Sequence, residues 1–410
     1  MPSRPRPNAR LTMRYIPKHS SSAFLHENYD ILRLLGQGSF AKVHLVRERA
    51  TKEEKVCKVV STAGMSSDEL EQTKEEVNIL RRLDHPGIVQ IHEYGYDREV
   101  DGLIVVLEYL SGGSCRTLLR KQGPFKEALV VDLMSQVFDA VAYCHARGVV
   151  HRDVKPDHIM LVGEFQCGSA KCKLIDFGLS FLCAGARNAH GCSELSKRVG
   201  TPAYMAPEVV NKGMSCTSKA DVWSVGVSML ELLLGRNPFY RDERQLIFKS
   251  IKRFWDLDAY VASNGLLSSW RTLQAGIKAF ITSLLKADPG DRFSAVQSLD
   301  SLRALHNQID RDRLSTTLPE VAATSPKGAD ASNATVKLRG LSRAFADRPS
   351  TELIPDVFFR MPNSARVSQP SRECFGSSSR SLDDEMTCGW SLPLYARRHA
   401  SNLSRRVERE

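Results

Sequence analysis

Residues 151–158 carry the sequence HRDVKPDH. Two further segments follow it: the tripeptide DFG at 176–178, which begins 23 residues after Asp153, and the sequence GTPAYMAPE at 200–208. Short motifs of this kind arise by chance when each is taken alone. The interpretation therefore rests on their order and spacing, with which the rest of the chain has to agree.

A glycine-rich segment, LGQGSFAKV, lies upstream at residues 35–43. A dinucleotide-binding turn of the G-x-G type is followed by a helix and by an acidic residue about 20 positions later. Here the β-type residues at 43–46 follow instead, which favours a hairpin flap over phosphates. Because glycine lacks a Cβ atom, the backbone N–H groups of such a flap can approach an anion closely.

Lys58 lies in the strand-like segment EKVCKVV, and Glu76 follows 18 residues later on a helical face beside an apolar stripe. An isolated lysine in a strand is usually just exposed to solvent. A lysine that is held by a glutamate is instead fixed as a point charge for phosphate oxygens.

With these motifs in this order, the chain resembles the eukaryotic protein kinase family over residues 29–305. Asp221, in SKADVWSVGV, and Arg292, in DPGDRF, match two further family positions. The resemblance implies an α+β fold, the bilobal protein kinase fold. Its β-rich N-lobe, at 29–110, would contain one long helix, and its C-lobe, at 111–305, would be helical.

The two ends of the chain have a different composition. Residues 1–28 are basic and rich in Pro, Arg and Ser, and residues 306–410 are rich in Ser and Arg. Both segments are predicted to be disordered, the second for most of its length. One apolar stretch of the tail, LIPDVFFRM at 353–361, could occupy a groove on the kinase domain, or it could make no contact.

The resemblance implies roles for individual residues. Lys58 would contact the α- and β-phosphates of ATP and pair with Glu76, and Lys155 would lie near the γ-phosphate. Asp153 would orient the substrate hydroxyl and accept its proton, and Asp176 would ligate Mg²⁺. Lys58, Asp153 and Lys155 form the catalytic set. The other residues expected around ATP are Leu35, Gly36, Gly38, Ser39, Phe40, Val43, Val56, Glu76, Glu108, Leu110 and Met160.

The resemblance also implies supporting positions. Residues 108–110 would form the hinge that meets adenine, with Leu107 as gatekeeper. Arg292 would hold Glu208 in a buried, structural ion pair. The stack of side chains that reports the active state would be anchored by Asp221, and its members would be Leu80, Ile91, His151 and Phe177.

Physical chemistry agrees with these roles, because phosphoryl transfer needs in-line positioning and neutralisation of phosphate charge more than covalent help. A lysine, a metal-binding aspartate and a hydroxyl-facing aspartate supply those functions. The expected cofactors are ATP and Mg²⁺, with Mn²⁺ as an alternative metal.

Three positions depart from the family pattern. Ala41 replaces the third glycine, and Val56 replaces an alanine, which adds bulk above adenine. His158 replaces the asparagine whose amide oxygen binds a second Mg²⁺, an ion that prefers oxygen ligands. Three outcomes stay open: ATP bound through Asp176 alone with slow transfer, a preference for Mn²⁺, or a His158 that merely donates a hydrogen bond to Asp153.

Substrate class follows from the same segments. Lys155 and Thr201 are typical of kinases that phosphorylate serine and threonine. Related kinases that prefer arginine before the target serine usually carry an acidic residue where Ser114 stands. Glu231 and Asp157 stay available for basic residues, so a weakened preference for arginine is expected.

Several local sequences, such as LDHPGIVQ and IDFGLS, are similar to calmodulin-regulated and calcium-dependent protein kinases. Members that sense calcium directly carry EF-hands, and this chain has no D-x-[DN]-x-[DN]-G loop. Direct calcium binding is therefore not expected. Ser193 and Ser196 lie in the predicted activation segment and could be phosphorylated, although exposed serines are common in loops.

Composition excludes several other classes. The chain of 410 residues is 42% hydrophobic and 25% charged, with a net charge of +10 that is concentrated at the two ends. The centre is nearly neutral, so nucleic-acid binding is not expected. No apolar run is long enough to span a membrane, and because no apolar h-region follows the first residues, a secretory signal is not expected. The ten cysteines lack zinc-ligand spacing. We expect an intracellular protein, cytoplasmic or nuclear, that acts on protein substrates.

Two functions remain after these exclusions. The first is an active Ser/Thr protein kinase, which the presence of Lys58, Glu76, Asp153 and Asp176 supports. The alternative is a pseudokinase, a binding or scaffolding module with weak or no turnover, which His158 supports. A small-molecule kinase is disfavoured because the segment at 200–208 is typical of kinases that act on proteins.

Overall fold

The structure of the protein is a computed structural model. It describes residues 14–16, 24–38, 40–163, 170–182, 199–211, 217–252, 254 and 256–317. Ser39, Ser193, Ser196 and residues 318–410, with the apolar stretch at 353–361, lie outside the described residues.

A six-stranded sheet forms the N-terminal part of the described chain. Its strands are β1 (Arg14–Ile16), β2 (Tyr29–Gln37), β3 (Ala41–Glu48), β4 (Glu54–Ser61), β5 (Ile91–Asp97) and β6 (Gly102–Glu108). The spatial order is β1-β5-β6-β4-β3-β2. Strands β2 to β6 pair in antiparallel fashion, whereas the edge strand β1 pairs in parallel with β5. Inward residues alternate with outward ones along β5 and most of β3, as expected for a sheet with one buried face.

Residues 14–16 and 24–28 lie in the segment 1–28 that the sequence predicts to be disordered, yet they form a strand and a helix. Helix α1 (Phe24–Asn28) buries Phe24 and Leu25 against the sheet. The backbone N–H of Leu25 donates to Asp97 at 2.8 Å. A helix of five residues is too short for its periodicity to be visible in the sequence, so its stability comes from this packing.

Helix α2 (Ser67–Leu80) is the long helix predicted for the N-lobe. Ser66 and Glu69 form a capping box: the Ser66 hydroxyl accepts the Glu69 backbone N–H, and the Glu69 carboxylate accepts the Ser66 backbone N–H at 2.8 Å. The helix buries Val77, Ile79 and Leu80 in the main core. Because Glu76 lies on the same helix, the burial of these neighbours fixes the direction in which its side chain extends.

The C-terminal part is mostly helical. Its helices are α3 (Cys115–Gln122), α4 (Glu127–Ala146), α5 (Pro207–Val210), α6 (Lys219–Leu234), α7 (Arg244–Lys252), α8 (Leu257–Ser263), α9 (Leu267–Thr272), α10 (Ala275–Leu284) and α11 (Ala295–Thr317). Two short antiparallel pairs join them: β7 (Val149–Val150) with β10 (Phe181–Leu182), and β8 (Ile159–Leu161) with β9 (Cys172–Leu174). Helix α6 is buried along most of its length and forms the centre of this part.

The connection between the two parts needs glycine at Gly112 and Gly113. A Cβ on Gly112 would lie 2.1 Å from the carbonyl oxygen of Gly163, a distance that no side chain tolerates. Gly113 has a φ of 75°, which glycine adopts at little cost. The backbone N–H of Gly112 donates to Leu161 on β8 at 3.1 Å, so the connection lies directly against the loop region of the C-lobe.

The prediction of a bilobal α+β kinase fold is confirmed by this architecture. The last helix, α11, continues to Thr317 and so passes the predicted domain boundary at residue 305. Within the described ranges, no helix has both the length and the apolar character needed to cross a membrane.

Candidate active site

Lys58 and Glu76 form the predicted ion pair. Lys58 lies on β4 and Glu76 on α2, and the Lys58 Nζ is 2.7 and 2.8 Å from the two carboxylate oxygens. Both side chains are nearly buried. Burial raises the pKa of Glu76, although the Lys58 ammonium beside it acts in the opposite direction. The pair fixes a positive charge at one wall of the cleft.

The loop that follows β7 is held by Asp221, which lies in the first turn of α6. The Asp221 carboxylate accepts the backbone N–H groups of His151 and Arg152, each at 2.8 Å, and it lies 2.8 Å from His145 Nε2. Burial alone would raise the pKa of Asp221, but the contacts with the two histidines and the backbone lower it. These bonds hold Arg152 at a φ of 66°, a strained value for a residue with a side chain.

Asp153 is nearly buried and its carboxylate is bonded on both oxygens. Its Oδ1 accepts the backbone N–H and the hydroxyl of Thr201, at 2.8 and 2.7 Å. Its Oδ2 accepts Lys155 Nζ at 2.8 Å, and the same ammonium donates to the Thr201 hydroxyl at 2.7 Å. Three groups therefore set the direction of the Asp153 carboxylate.

His158 lies between the two aspartates of the site. Its Nδ1 donates to the main-chain oxygen of Asp153 at 2.9 Å, and its Nε2 lies 3.3 Å from Asp176 Oδ2. Burial alone would raise the pKa of Asp176, but the His158 and Lys58 side chains lower it. The backbone N–H of Gly178 donates to the other Asp176 oxygen at 3.2 Å, and Asp176 has a φ of 61°.

The donor set around Asp176 fits one Mg²⁺. Among the described residues, no three His, Cys, Asp or Glu side chains are arranged as a metal cage. Mg²⁺ is commonly held by one or two carboxylates together with substrate phosphates and water, which Asp176 satisfies. At His158 an imidazole nitrogen stands where a second Mg²⁺ would need an oxygen, and imidazole suits softer metals.

A cleft that opens to solvent lies beside these residues. Its lining residues are Val43, Val56, Lys58, Glu76, Leu80, Val89, Leu107, Glu108, Leu110, Ile175 and Asp176. The predicted gatekeeper and hinge residues Leu107, Glu108 and Leu110 are thus in the cleft wall. The Glu108 carboxylate is engaged by Lys173 Nζ at 2.5 Å and by the Gln90 backbone N–H at 2.7 Å. Its side chain is therefore bonded within the protein.

The remaining predicted ATP-binding residues that the structure describes are not among the residues that line this cleft. Leu35 packs with Val43 and Val56 in a small apolar cluster, and Gly36 and Gly38 lie in the hairpin of β2 and β3. The backbone N–H of Gly38 donates to Ala41 at 2.7 Å, which closes the predicted flap. Phe40 is half-buried at the tip of this hairpin, and Met160 is buried on β8; neither is among the lining residues of the cleft.

The predicted stack and the structural ion pair are also present. Phe177 belongs to the same core as Leu80 and Ile91, and its ring lies 4.7 Å from that of the buried His151. Arg292 holds Glu208 through two bonds of 2.7 and 2.9 Å. Both side chains of that pair are fully buried.

Three residues of the site were not singled out from the sequence in their structural roles. Thr201 was noted only as a marker of substrate class, yet it binds Asp153. Lys173 and Arg116 were not noticed, although the first holds Glu108 and the second binds Glu231 and Asp157. Their partners lie far away in the sequence, so spacing carries no signal for them.

Comparisons with known proteins give a matching family and relatives that are all described as kinases. Residues 29–302 match the family described as protein kinase domain. A CBL-interacting protein kinase 30 of Oryza sativa subsp. japonica is 34% identical over 66% of this chain and 53% of its own length. The Aurora kinase of Dictyostelium discoideum is 32% identical, with 65% of this chain and 63% of that protein covered. A calcium/calmodulin-dependent protein kinase type II of Caenorhabditis elegans is 30% identical, with 68% and 36% covered. The match therefore spans less than two-thirds of each of these relatives.

Proposed function

This chain belongs to the protein kinase family, and we propose that it transfers the γ-phosphate of ATP to serine and threonine hydroxyls of protein substrates. The observation that carries the proposal is the closed Lys58–Glu76 pair, which lines the same cleft as Asp176. A kinase needs this pair and the metal-binding aspartate in place at the same time.

The residues of the chain would divide the work as follows. Lys58 binds phosphate oxygens as a fixed charge, and the cleft wall excludes water from adenine. Asp153, held by Thr201, orients the attacking hydroxyl and accepts its proton. Lys155 lies between Asp153 and Thr201 and stabilises negative charge that develops on the transferred group.

Asp176 would hold one Mg²⁺ together with the phosphates of ATP. A bound Mg²⁺ supplies charge neutralisation on the phosphate oxygens. His158 holds Asp153 and Asp176 in fixed positions relative to each other, because its ring contacts both residues. We propose that one divalent ion suffices for turnover and that Mn²⁺, which accepts nitrogen more readily than Mg²⁺, supports a higher rate.

Serine and threonine are proposed as substrates because Lys155 and Thr201 are both present and bonded to Asp153. A relative from Arabidopsis thaliana that is 34% identical is a CBL-interacting serine/threonine-protein kinase. The segment at 200–208, which contains Thr201, supports a protein substrate over a small molecule.

The test is phosphate transfer from γ-labelled ATP to a mixed set of serine and threonine peptides, with Mg²⁺ and with Mn²⁺. We expect the wild type to transfer phosphate, and we expect Asp153→Asn and Lys58→Met each to lower the rate of transfer by about 100-fold or more. Equal signals in wild type and Asp153→Asn with both metals would reject the proposed activity.

A second candidate function is a binding module with little turnover, which the position of the His158 ring beside Asp176 favours. This candidate predicts that ATP raises the unfolding temperature of the wild type although no phosphate is transferred. It also predicts that His158→Asn gains transfer from a background of none, whereas robust wild-type transfer excludes it.

A further inference from the structure

Arg116, on α3, is bound on three sides by groups from distant parts of the chain. Its Nη1 and Nη2 donate to the two carboxylate oxygens of Glu231, the second at 3.1 Å, and its Nε donates to Asp157 at 3.2 Å. Nη2 also donates to the hydroxyl of Tyr204, which in turn donates to Glu231 at 2.5 Å. Arg116, Glu231, Asp157 and Tyr204 are called the Arg116 cluster below.

The Arg116 cluster adjoins the catalytic residues. Asp157 follows Lys155 by two residues in the loop that carries Asp153, and Tyr204 follows Thr201 by three residues. Consecutive residues of an extended peptide are about 3.3 Å apart, so a long side chain a few residues from the target serine reaches this region. The cluster is therefore placed where a substrate peptide would lie.

Two carboxylates and a hydroxyl converge there on one guanidinium. The Glu231 side chain is 5% exposed and the Asp157 side chain is 27% exposed, so one partner is buried and the other borders solvent. A planar guanidinium that meets one carboxylate with two parallel bonds is the preferred geometry for this pairing. These two carboxylates and the hydroxyl would bind the guanidinium of any arginine, and in this structure they bind that of Arg116 from the same chain.

We infer that Arg116 fills, from within the chain, the place that an arginine of the substrate would otherwise occupy, so that this kinase selects substrates without using arginine there. This inference rests on the proposed protein kinase activity and specifies its substrate class. Arg116 is thus a residue that determines specificity. Glu231 and Asp157, expected from the sequence to attract basic residues, are already paired.

Ser114 points to the same specificity independently. It occupies the position where an acidic residue would serve arginine, and instead it is the N-cap of α3: its hydroxyl accepts the Thr117 backbone N–H at 3.1 Å. Ser114 is fully buried. Both places that could have bound arginine are therefore used within the chain: Glu231 and Asp157 bind Arg116, and position 114 is a capping serine.

The experiment uses the full chain and a serine peptide with alanine at every position before the serine. A peptide set replaces one of these alanines at a time by arginine. We expect the wild type to phosphorylate these peptides with similar kcat/KM. In Arg116→Ala, one arginine peptide should gain about tenfold or more over the alanine peptide, mainly through a lower KM, because Glu231 and Asp157 are freed.

Three variants separate this inference from a purely structural role. Arg116→Ala/Glu231→Gln should lose the gain, and Arg120→Ala, an exposed arginine on the same helix, should show none. Glu231→Gln with Arg116 intact should leave the ratio of arginine to alanine peptides unchanged. A strong wild-type preference for arginine that Glu231→Gln abolishes would overturn the inference, as would a folded Arg116→Ala that gains no preference.

Failure of the proposed activity is distinguished by a binding measurement. If no variant transfers phosphate, fluorescence anisotropy of the labelled arginine and alanine peptides reads the same preference without turnover. Selective arginine binding by Arg116→Ala over wild type supports the inference even then, and equal binding by the two proteins rejects it. If Arg116→Ala does not fold, the wild-type ratio and its response to Glu231→Gln decide.

Discussion

His158 is the side chain whose identity most affects the chemistry of the site. Its ring bridges the main chain of Asp153 and the carboxylate of Asp176, and it lies almost buried in this position. The structure therefore bears on one of the three outcomes that the sequence leaves open, the hydrogen bond from His158 to Asp153. The predicted hydrogen bond to Asp153 exists, although it reaches the main-chain oxygen. The metal preference stays a prediction.

His158→Asn is expected to raise the rate in Mg²⁺ by about tenfold, equivalent to about 1.4 kcal/mol in the barrier. The reason is that an asparagine amide offers the oxygen that Mg²⁺ prefers and can still donate an N–H to Asp153. Initial rates of peptide phosphorylation with Mg²⁺ and Mn²⁺ give the answer. Asp153→Asn/His158→Asn serves as the inactive control.

The prediction also concerns the ratio between metals. Wild type should work better with Mn²⁺ than with Mg²⁺, and His158→Asn should reduce or invert that ratio. A variant with an unchanged metal ratio and an unchanged Mg²⁺ rate would show that His158 has no part in metal use.

Individual residues also show which parts of the site can be predicted from the sequence and which cannot. Lys58, Glu76, Asp153 and Asp176 belong to recognisable motifs, and the structure places them around one cleft. Arg116 belongs to no motif, and its partner Glu231 lies 115 residues away. A contact between such distant positions depends on how α3 and α6 pack together, which neither composition nor periodicity specifies.

At the scale of elements, α2 is the part that brings Glu76 to the cleft. Its amino-terminal end is fixed by the capping box of Ser66 and Glu69, and its inward face by the core. The Glu69 carboxylate accepts hydrogen bonds from the backbone N–H and the hydroxyl of Ser66, and these contacts lower the pKa of Glu69. The stability of this helix end therefore affects how firmly the Lys58–Glu76 pair is held.

Ser66→Ala is expected to destabilise the protein by about 1 kcal/mol, since the cap of the first turn is lost. The matched control is Ser67→Ala, one residue further along, whose exposed side chain is not the cap. Thermal unfolding measures both variants. A Ser67→Ala effect as large as that of Ser66→Ala would contradict the assigned capping role.

Gly112 and Gly113, in the connection between the two parts of the structure, allow a second comparison between neighbouring positions. Gly112→Ala should destabilise by about 2 kcal/mol or more, because its Cβ would meet two backbone oxygens that cannot move aside cheaply. Gly113→Ala has open space and should cost only about 1 kcal/mol for its positive φ. Chemical denaturation ranks the two; equal effects would mean that the close approach of the hinge to β8 is unimportant.

Elements with a strong repeat were predictable from the sequence. The apolar pattern of the sequence predicts helices at 128–147 and 219–235, and they are observed at Glu127–Ala146 and Lys219–Leu234. The short helix α3 and the extension of α11 were not predicted. Helix α3 has few apolar residues, and it is stabilised by its packing and by the Ser114 cap.

At the scale of the whole molecule, burial of titratable groups couples stability to pH. His151 lies in the core, and burial lowers its pKa. Burial is also the first cause of a lowered pKa at His44, His85 and His92. The raised pKa of Glu76 acts in the opposite direction, but it is one group against four.

The unfolding temperature is therefore expected to fall by about 3 °C or more between pH 7.5 and pH 5.5. Above the ordinary histidine pKa of about 6.5, folded and unfolded chains are both neutral at these positions, so no penalty exists. Below it, the unfolded chain binds protons that the buried rings do not bind, and the free energy of unfolding decreases. Thermal unfolding at constant ionic strength measures the slope. His92→Gln should flatten it, whereas His26→Gln, at an exposed position on α1, should leave it as it is. An unfolding temperature that stays constant or rises toward pH 5.5 would show that the buried histidines do not control stability in this range.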